Sequence, residues 1–452
     1  MALFGINGVR GKVNKDLTAE VALQIGRAVG MSYGKRMAIA VDARDSAEML
    51  RSALSSGMMA VGCDVVDLGM LPTPALQYYV HTHDDITGGV MITASHNPPE
   101  DNGFKFIGPD GMEVTSDDEA ALEDFYSTHI DEAPWSEMGE MYYDQGAADY
   151  IGGIVSKIDV DAVRNANLKV CVELFNGSTC STTPSLLKEL GVTAITINAD
   201  PGNGFVGISS EPTEDHLSLL KTLVRESGAD LGVAHDSDGD RTIFIDSTGR
   251  FIEGDLSLAV MCRYILKAHR GKVVTPVSSS KLVEDAVSEN GGMLKYTPVG
   301  SHMIVRKIVE NKAIFGGEEN GGMVFPEFQF CRDGGMTLAK MLECIAVDGP
   351  LDKQTSDMHT YVTIKTKVDC PDDMKEDLLD HFIQEYSDVR IDPTDGVKVF
   401  YDDGWVLMRP STTEECFRIY SESTDATKAK ERATACVDDA CAFLFEKKDQ
   451  KQ

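Results

Sequence analysis

The chain has 452 residues and a formal net charge of −31, from 42 basic and 73 acidic residues. So large a negative charge argues against nucleic acid or an anionic membrane as a partner, because both repel an acidic protein. The sequence contains no apolar run long enough for a membrane span, and its start lacks the regions of a signal peptide. Ten scattered cysteines without paired zinc spacing indicate reduced thiols, so we expect a cytoplasmic protein.

Helical and extended patterns alternate along about the first 350 residues. Apolar residues at helical spacing predict a helix over residues 17–33, and Met37–Val41 is typical of a strand. Alternation of this kind predicts helices layered on β-sheets, an α/β fold. Beyond residue 356 the order becomes strand, helix, strands and helix, which indicates a smaller α+β domain. Three polar or glycine-containing stretches mark candidate domain boundaries: residues 131–146, 249–254 and 348–356.

The first candidate functional segment is Thr93–Pro98, which follows a short apolar run, Gly89–Ile92, that predicts a buried strand. Ser95 would lie at the carboxyl end of this strand, where open α/β sheets bind their ligands. Asn102 and Lys105 bring an amide and an ammonium group to the same region. A serine with no obvious base beside it is a weak nucleophile, which favours a phosphorylated serine. The alternative is an ordinary turn ahead of a proline.

A glycine-containing segment, Gly202–Gly207, fits the pattern of dinucleotide-binding loops. No helix is predicted to begin at these glycines and receive a pyrophosphate, so we interpret the segment as a plain loop. The sequence also lacks a Walker-type lysine loop, which leaves phosphoryl transfer from a nucleotide without support.

A dense group of carboxylates comes next, at Asp236, Asp238 and Asp240. It follows the apolar run Leu231–Ala234 and precedes a predicted hairpin. Carboxylates at alternate positions of an extended loop project to one side. Such an oxygen-only site binds Mg²⁺ or Mn²⁺ rather than zinc. An EF-hand is excluded because Arg241 stands where that loop requires glycine. The alternative is a solvated acidic turn.

Two later loops carry polar groups suited to a phosphorylated sugar. Gly316–Gly322 contains two acids and an amide, which can accept hydrogen bonds from several hydroxyl groups. Arg409–Glu414, followed by Arg418, combines two guanidinium groups with three hydroxyls and suits a phosphate dianion, although it could be a surface turn. Together the four loops describe a serine, a metal site, polyol acceptors and a phosphate clamp. This set fits the transfer of a phosphoryl group on a phosphorylated sugar.

With these motifs in this order, the sequence resembles the α-D-phosphohexomutases along nearly its whole length. Its opening, Phe4–Gly11, is similar to the amino-terminal signature of that family, which implies that Arg10 lies near the phosphoserine. The resemblance implies three similar α/β domains with mixed sheets plus a smaller C-terminal α+β domain, arranged around a central cleft. The expected domains carry the phosphoserine, metal-binding, sugar-binding and phosphate-binding loops in turn and span residues 1–146, 147–252, 253–355 and 356–452.

The resemblance also implies the roles of individual residues. Ser95 is expected to carry the phosphoryl group, assisted by Lys105, Arg10 and Arg241. The expected metal ligands are the phosphorylated Ser95 and the three aspartates, Asp236, Asp238 and Asp240. The expected substrate-binding residues are His96, Glu318, Asn320, Arg409, Ser411, Thr412, Thr413 and Arg418.

Some positions depart from the family pattern. Thr412 stands where the phosphate loop of the family has glycine, and threonine disfavours some of the backbone angles that glycine adopts. Glu415 replaces a proline, and its carboxylate would repel a phosphate if it pointed inward. Gly322 stands where some bacterial relatives have a histidine. His302 is therefore a candidate for proton transfer, with a purely structural role as the alternative.

The implied activity is that of a phosphohexomutase, which interconverts hexose 6-phosphate and hexose 1-phosphate through a phosphoserine and a bisphosphate intermediate. One Mg²⁺ per chain and hexose 1,6-bisphosphate as activator are the expected cofactors. The sugar loop, with Phe325–Pro326 and Arg332–Gly335 after it, is similar to archaeal members called phosphoglucosamine mutases. Glucosamine 6-phosphate is thus the expected substrate, with phosphomannomutase or phosphoglucomutase activity as the alternative. Lys105 would move the hydroxyl proton if its pKa were depressed and would otherwise serve as an electrostatic clamp.

Two readings outside this class stay open. Asp236 could be the nucleophile of a phosphatase, in which case Ser95 would have no role. A protein that binds a sugar phosphate without turnover is the more remote reading, and the altered phosphate loop supports it. The expected partner is a small sugar phosphate, with no nucleic acid or membrane, and a homo-oligomer is allowed.

Overall fold

The structure, a computed structural model, describes residues 4–5, 8–128, 130–205, 211–411 and 414–450. The chain divides into two compact units. Unit 1 comprises Met1–Ser257 and Asn320–Gln354, and unit 2 comprises Leu258–Glu319 and Thr355–Gln452. Among the described residues, no helix combines the length and the apolar character needed to cross a bilayer.

Unit 1 begins with a seven-stranded sheet in the order β1-β2-β6-β5-β3-β4-β7. Its strands are β1 Phe4–Gly5, β2 Gly8–Lys12, β3 Arg36–Val41, β4 Asp64–Met70, β5 Gly89–Ile92, β6 Asp101–Ile107 and β7 Met141–Tyr143. The helices of this region are α1 Ala19–Tyr33, α2 Ala47–Ala60, α3 Thr73–Thr82 and α4 Ser116–Ser127. The central strands β5, β3, β4 and β7 are parallel, whereas β2 and β6 run antiparallel to their neighbours.

Helices α1 and α2 pack closely because each has a glycine at the crossing. A Cβ atom at Gly26 would lie 2.1 Å from the carbonyl oxygen of Leu54, and one at Gly57 would lie 2.1 Å from that of Leu23. Any side chain at either glycine would therefore force the helices apart. The N-cap residue of α1 is Thr18, whose hydroxyl accepts a hydrogen bond from the Val21 amide at 3.3 Å.

The second sheet of unit 1 has the order β12-β11-β10-β8-β9. Its strands are β8 Lys169–Glu173, β9 Thr193–Ile197, β10 Leu231–His235, β11 Thr242–Asp246 and β12 Phe251–Ile252. Its helices are α5 Ala147–Val155, α6 Val160–Ala166, α7 Thr183–Glu189 and α8 Ser218–Ser227. Strands β9, β8 and β10 are parallel, and β10 turns back antiparallel into β11 with His235 opposite Thr242. The loop that joins β10 to β11 carries the three aspartates.

The next segment begins in unit 1, forms the first part of unit 2 and returns to unit 1. Its elements are α9 Gly254–Ala268, β13 Lys272–Pro276, α10 Lys281–Glu289, β14 Met293–Thr297, α11 Ser301–Asn311, β15 Phe315–Gly317, β16 Met323–Val324, α12 Gly334–Asp348 and α13 Leu351–Gln354. In unit 2, β14 and β15 flank β13 and both run parallel to it. The last three elements belong to unit 1, where α12 packs against α5, α6 and α7.

The C-terminal region of unit 2 is an antiparallel sheet in the order β17-β21-β20-β19-β18, packed by two helices. Its elements are β17 Val362–Asp369, α14 Lys375–Glu385, β18 Ile391–Asp392, β19 Val397–Tyr401, β20 Gly404–Pro410, β21 Cys416–Ser423 and α15 Ala426–Gln450. Its core contains Phe382 and Phe417, and every buried member of that core lies between Val368 and Leu444.

The predicted fold class is confirmed. Three α/β regions with mixed or parallel pairing precede a smaller α+β region, as the change in element order after residue 356 predicted. The predicted helix over residues 17–33 is Ala19–Tyr33, and the predicted strand Met37–Val41 is Arg36–Val41. Part of the segment interpreted as a plain loop, residues 206–207, lies outside the described residues, and a short 3₁₀ turn occupies Pro201–Asn203.

Candidate active site

Ser95 lies just beyond the carboxyl end of β5 and has an unusual backbone conformation. Its φ angle is 51°, in the left-handed region that a residue with a side chain rarely adopts. Holding such a residue there costs on the order of 1–3 kcal/mol, which the surrounding contacts must offset. The Ser95 amide donates to Thr93 Oγ1 at 2.8 Å, and the side chain is buried. The strained turn directs the hydroxyl group towards the aspartate loop.

The three aspartates lie in the loop between β10 and β11, and all are buried. One carboxylate oxygen from each falls within 4.8 Å of the others. Gly239, with φ of 72°, permits this tight turn, because a Cβ atom there would lie 2.5 Å from Thr179 Cγ2. The Ser95 hydroxyl donates to Asp236 Oδ2 at 3.4 Å, so the serine and the cluster form one site within unit 1.

Hydrogen bonds fasten the serine loop to the aspartate loop. Ser237 Oγ donates to the Ser95 carbonyl at 2.5 Å. On the other side of the cluster, the Thr73 hydroxyl donates to Asp238 Oδ2 at 2.8 Å, and its amide donates to the Asp238 carbonyl at 2.8 Å. The first residue of α3 therefore holds both the side chain and the main chain of Asp238.

Three cations neutralise the cluster. Lys105 Nζ lies 2.6 Å from Asp238 Oδ2 and 3.2 Å from Asp240 Oδ2. Arg332 also pairs with Asp240, and Arg241 Nε lies 3.8 Å from Asp236 Oδ2. Burial lowers the pKa of Lys105, but the two aspartates outweigh burial and raise that pKa above its usual value. The ammonium group therefore stays protonated in this arrangement, which favours the electrostatic role over proton transfer.

The pKa values of the site residues shift in different directions. Burial and the neighbouring carboxylates raise the pKa of Asp236 well above its usual range. Burial also opposes ionisation of Asp240, but Arg332 and Lys105 hold its pKa below the usual value. Burial, with the nearby arginines, lowers the pKa of His96 to about 4, so this histidine is neutral at pH 7.

The residues of the cluster fit a divalent cation. All the donor atoms are oxygens, which suits magnesium or manganese. Asp238 Oδ1 and Asp240 Oδ1 are buried and accept no hydrogen bond from any described residue. Such buried acceptors are costly to leave unpaired, and a cation would satisfy them.

Arg10 extends the positive border of the site. Its Nη1 donates to Asn97 Oδ1 at 3.2 Å, and its strand β2 pairs with β6, which carries Lys105. Burial lowers the pKa of Arg10, but Asp238 and Asp240 oppose that shift, and the guanidinium stays charged. Arg10 therefore contacts the loop that carries Ser95, through Asn97.

The sugar loop spans the point where the chain leaves unit 2 and re-enters unit 1. In unit 2, Glu318 is buried, and the Glu319 carboxylate binds Lys365 at 3.0 Å and Ser278 Oγ at 3.2 Å. In unit 1, Asn320 Oδ1 accepts from the Gly322 amide at 3.0 Å, while the Thr242 amide donates to the Gly321 carbonyl.

The phosphate loop of unit 2 follows β20. Arg409 and Arg418 lie opposite each other on β20 and β21, and Lys367 on β17 lies opposite Arg418. Residues opposite each other in adjacent strands point to the same face, so the three cations form a row. Arg409 pairs with Asp395 at 2.9 Å, while Glu414 joins Lys367 at 3.0 Å and Arg418 at 3.1 Å.

Five further residues were discussed from sequence, and the structure places them as follows. Thr412 and Thr413 lie outside the described residues. Glu415 is exposed, so its carboxylate does not point inward. His302 lies in the first turn of α11 in unit 2, half-buried, and its part in proton transfer stays a prediction. Ser411 is buried, and its carbonyl accepts from Lys375 Nζ at 2.6 Å.

Sequence reasoning missed several residues that build the site. Arg332 appeared only as part of a family-like segment, and Thr73 and Ser237 carried no role. Asp42 and Arg44 follow β3, whose carboxyl end lies beside that of β5 in the sheet. Their place at the same sheet edge as Ser95 was a usable signal, because ligands bind at that edge.

Comparison with known proteins identifies the relatives of this chain. Four family models of phosphoglucomutase/phosphomannomutase match consecutive parts of the chain. The α/β/α domains I, II and III match residues 1–132, 148–249 and 253–361, and the C-terminal domain matches residues 366–438. A phosphoglucomutase/phosphomannomutase from Thermococcus kodakarensis is 41% identical over 439 residues, which cover 95% of this chain and 96% of the relative. A probable phosphoglucosamine mutase from Methanopyrus kandleri is 38% identical over 443 residues, covering 96% and 97%.

A solved structure gives the same result. The fold matches that of a phosphoglucomutase/phosphomannomutase family protein from Burkholderia thailandensis with a TM-score of 0.87 at 26% identity, over 97% of this chain and 96% of the other. The fold and the serine–carboxylate site define an isomerase of the phosphohexomutase class, and the expected enzyme class is confirmed. The chain belongs to the phosphoglucomutase/phosphomannomutase family.

Proposed function

We propose that this phosphohexomutase transfers phosphoryl groups through Ser95 and that glucosamine phosphate is its preferred substrate. The observation that carries the proposal is the hydrogen bond from Ser95 Oγ to Asp236 at 3.4 Å, inside a cluster of three buried carboxylates and their cations. A hydroxyl at a sheet edge, faced by charges of both signs, suits a group that alternately gains and loses a phosphoryl group.

The chemistry runs in two balanced transfers. The bond between phosphorus and Ser95 Oγ breaks while a bond forms to the free hydroxyl of the sugar monophosphate, and the hydroxyl proton passes to the oxygen of Ser95. The sugar bisphosphate then turns over within the site, and the reverse transfer from its other phosphate regenerates the phosphoserine. Lys105, Arg10 and Arg241 stabilise the charge that spreads over the transferred oxygens.

Asp236, Asp238 and Asp240 would hold one Mg²⁺, with the phosphate on Ser95 as a further ligand. The bound ion supplies charge neutralisation for the phosphoryl group. The oxygens of Asp238 and Asp240 that accept no hydrogen bond support this assignment. Loss of the ion would leave Lys105, Arg332 and Arg241 as the cations that compensate the three carboxylates. Hexose 1,6-bisphosphate is proposed as the activator, because it can phosphorylate a bare serine directly.

The remaining loops are proposed to hold the part of the substrate that does not react. The row of Arg409 and Arg418 suits the distal phosphate, with Ser411, Thr412 and Thr413 as hydroxyl donors. Glu318 and Asn320 are proposed to accept hydrogen bonds from the sugar, with His96 beside the reacting phosphate. An amine at the sugar would need a carboxylate partner, and the loop offers Glu318 and Glu319. The names of the relatives support both the amino sugar and the alternative, phosphomannomutase or phosphoglucomutase activity.

Further proposals concern the location of the protein, its partner and its domain boundaries. We place it in the cytoplasm, because all ten cysteines are free thiols and eight of them are buried. A small sugar phosphate is its proposed partner, and a homo-oligomer is allowed.

We also retain four domains at residues 1–146, 147–252, 253–355 and 356–452, which the four family matches support.

The test is a mutase assay with Mg²⁺ and a trace of hexose 1,6-bisphosphate, on wild type, Ser95→Ala and the exposed control Ser52→Ala. Each protein is offered glucosamine 6-phosphate, mannose 6-phosphate and glucose 6-phosphate. We expect wild type and the control to isomerise the substrate, Ser95→Ala to be inactive, and the highest kcat/KM for glucosamine 6-phosphate.

Other outcomes separate the alternatives. Release of inorganic phosphate by Ser95→Ala would indicate an aspartate nucleophile and overturn the proposal. Binding of all three sugars without isomerisation by wild type would indicate a binding protein. A higher kcat/KM for mannose or glucose 6-phosphate would overturn the sugar assignment alone.

A further inference from the structure

A buried ion pair lies beneath the serine loop and has no part in the chemistry described so far. Asp42 and Arg44 follow β3, and both side chains are inaccessible to solvent. Arg44 Nε donates to Asp42 Oδ2 at 3.1 Å, and the Arg44 amide donates to Asp42 Oδ1 at 3.1 Å. A buried pair of this kind is expensive to desolvate and is a weak source of stability by itself. Its remaining hydrogen bonds indicate what it does.

The Arg44 guanidinium uses its other donors on the main chain of the serine loop. Nη1 donates to the carbonyls of Pro98 at 2.7 Å and Asp101 at 2.8 Å. Nη2 donates to the carbonyls of Ser95 at 2.6 Å and Asn97 at 2.8 Å. With the bond to Asp42, all five N–H donors of the side chain are engaged. A lysine offers three donors without the planar fork and could not reproduce this pattern.

Asp42, the partner of Arg44, is linked to Ser95 through the Thr93 hydroxyl. Asp42 Oδ2 accepts a hydrogen bond of 2.6 Å from the Thr93 hydroxyl. The same hydroxyl accepts the Ser95 amide at 2.8 Å. Asp42 thus orients the Thr93 hydroxyl so that its lone pairs face the Ser95 amide. The amide and the carbonyl of Ser95 are therefore both held by one connected network.

This network surrounds the residue with the strained backbone. Ser95 has a φ angle of 51°, and without the network its peptide groups would relax towards an ordinary turn. Relaxation would rotate the Cα–Cβ bond and move Oγ away from Asp236, which it now meets at 3.4 Å. A misplacement of about 1 Å at a reacting group can lower the rate on the order of a hundredfold.

We propose that Asp42, Arg44 and Thr93 are positioning residues that fix Ser95 in its left-handed conformation and thereby set the rate of phosphoryl transfer. This inference rests on the proposed role of Ser95 as phosphoryl carrier. None of the three side chains needs to touch the substrate. Their effect falls on the transfer step rather than on the affinity for the sugar phosphate.

Thr93→Val is the sharpest test, because it removes the hydroxyl at nearly constant volume, and Thr93→Ser restores it. Thr87→Val is the matched control, since the Thr87 hydroxyl donates to the Arg36 carbonyl at 2.9 Å, away from the site. Rapid-quench measurement of the first phosphoryl transfer from glucose 1,6-bisphosphate to Ser95, together with steady-state kcat and KM, gives the readout. Thermal unfolding of each variant is recorded in parallel.

We expect Thr93→Val to slow the first transfer on the order of a hundredfold with KM within about twofold of wild type. Thr93→Ser should recover most of that loss, and Thr87→Val should transfer at the wild-type rate even if its stability falls equally. A wild-type transfer rate in Thr93→Val would overturn the inference. An equal loss in Thr87→Val would do the same.

If Thr93→Val does not fold, Asp42→Asn replaces it under the same criteria. Asparagine keeps the size and the acceptor oxygen but removes the charge that holds Arg44. Ser95→Ala separates this inference from the proposed function. Full turnover in Ser95→Ala would overturn the proposed function itself, whereas Ser95-dependent turnover with unaffected Thr93→Val and Asp42→Asn would overturn the positioning role alone.

Discussion

Lys105 Nζ lies 2.6 Å from Asp238 Oδ2, closer than any other cation to that carboxylate in the described part of the chain. The ammonium group occupies one oxygen of Asp238 and leaves the other, Oδ1, buried without a hydrogen bond. The Asp238 carboxylate therefore pairs with Lys105 through Oδ2 and has Oδ1 available as a candidate metal ligand. Lys105 must lower the affinity for a divalent cation while adding positive charge at the reaction.

Removal of the Lys105 charge should separate these two effects. In Lys105→Gln, we expect Mn²⁺ to bind roughly threefold to thirtyfold more tightly, because one nearby positive charge is lost. The same change should lower kcat/KM on the order of a hundredfold, since a stabilising charge is lost from the transfer step. Calorimetric titration with Mn²⁺ measures the affinity, and the mutase assay measures the rate.

Lys15→Gln is the matched control, because Lys15 is exposed. It should change neither quantity beyond about twofold. Unchanged or weaker Mn²⁺ binding in Lys105→Gln would contradict the shared-carboxylate account.

The row of cations in unit 2 predicts a third phosphate-binding residue. Lys367 lies opposite Arg418, which lies opposite Arg409, so a phosphate on this face meets three positive charges. In Lys367→Gln, KM for the sugar phosphate should rise about threefold to tenfold, while kcat should stay within about twofold. Steady-state kinetics at two ionic strengths provides the measurement.

The increase in KM should shrink at high salt, because exposed charges are screened. Lys430→Gln, an exposed lysine on α15, should behave as wild type. A fall in kcat with KM unchanged would place Lys367 outside the phosphate site.

Glu119 predicts a pH dependence of stability. Burial is the main cause that raises its pKa from 4.5 to about 7, although its Oε1 accepts the Gly8 amide at 2.9 Å. Between these values the folded protein retains a proton that the unfolded chain has released. The contribution of Glu119 to the free energy of unfolding is thus complete below about pH 4.5 and is lost as the pH rises through about 7.

Glu119→Gln removes this titration but keeps an acceptor for the Gly8 amide. We compare the unfolding midpoint of the variant with that of wild type at each pH. The variant's midpoint minus that of wild type should be larger at pH 8 than at pH 4.5, by about 2 °C or more. Thermal unfolding at both pH values tests this, with the exposed Glu226→Gln as the control. Equal differences from wild type at the two pH values would exclude Glu119 as the titrating group.

The net charge of −31 predicts a response to salt. If the acidic surface is suited to a salty cytoplasm, activity should persist in about 2 M KCl, where charges are screened within a few ångströms. The unfolding midpoint should rise over the same range, because repulsion among acidic groups falls. Loss of activity at moderate salt, with the protein still folded, would count against a salty environment.

The local parts of the site could be predicted from sequence because their residues are contiguous. Thr93–Pro98 and the aspartate loop each follow a short apolar strand, and position after a strand was enough to place them at a sheet edge. The three alternating aspartates also revealed the oxygen-only donor set, and the structure gathers the same three residues.

The residues that support the site could not be predicted from sequence, because only the folded chain brings them together. Arg44 contacts the Ser95 carbonyl across 51 positions of sequence, and Arg332 contacts Asp240 across 92. The charge state of Lys105 was equally hidden, since sequence alone cannot weigh burial against two nearby carboxylates. Spacing along the chain predicts what a loop contains but not which distant side chains brace it.

The way the chain divides between its units has a consequence for dissecting the protein. The last region has its own core between Val368 and Leu444, but its buried Trp405 and Leu407 also pack against Val277, so a fragment of residues 355–452 would expose part of its apolar surface. Unit 1 is discontinuous, and α12, with twelve buried residues, packs against α5, α6 and α7. A fragment that stops at Ser257 would expose that apolar strip and aggregate, even though it contains Ser95 and all three aspartates. Possession of the reactive groups therefore does not make a fragment of this protein able to fold by itself.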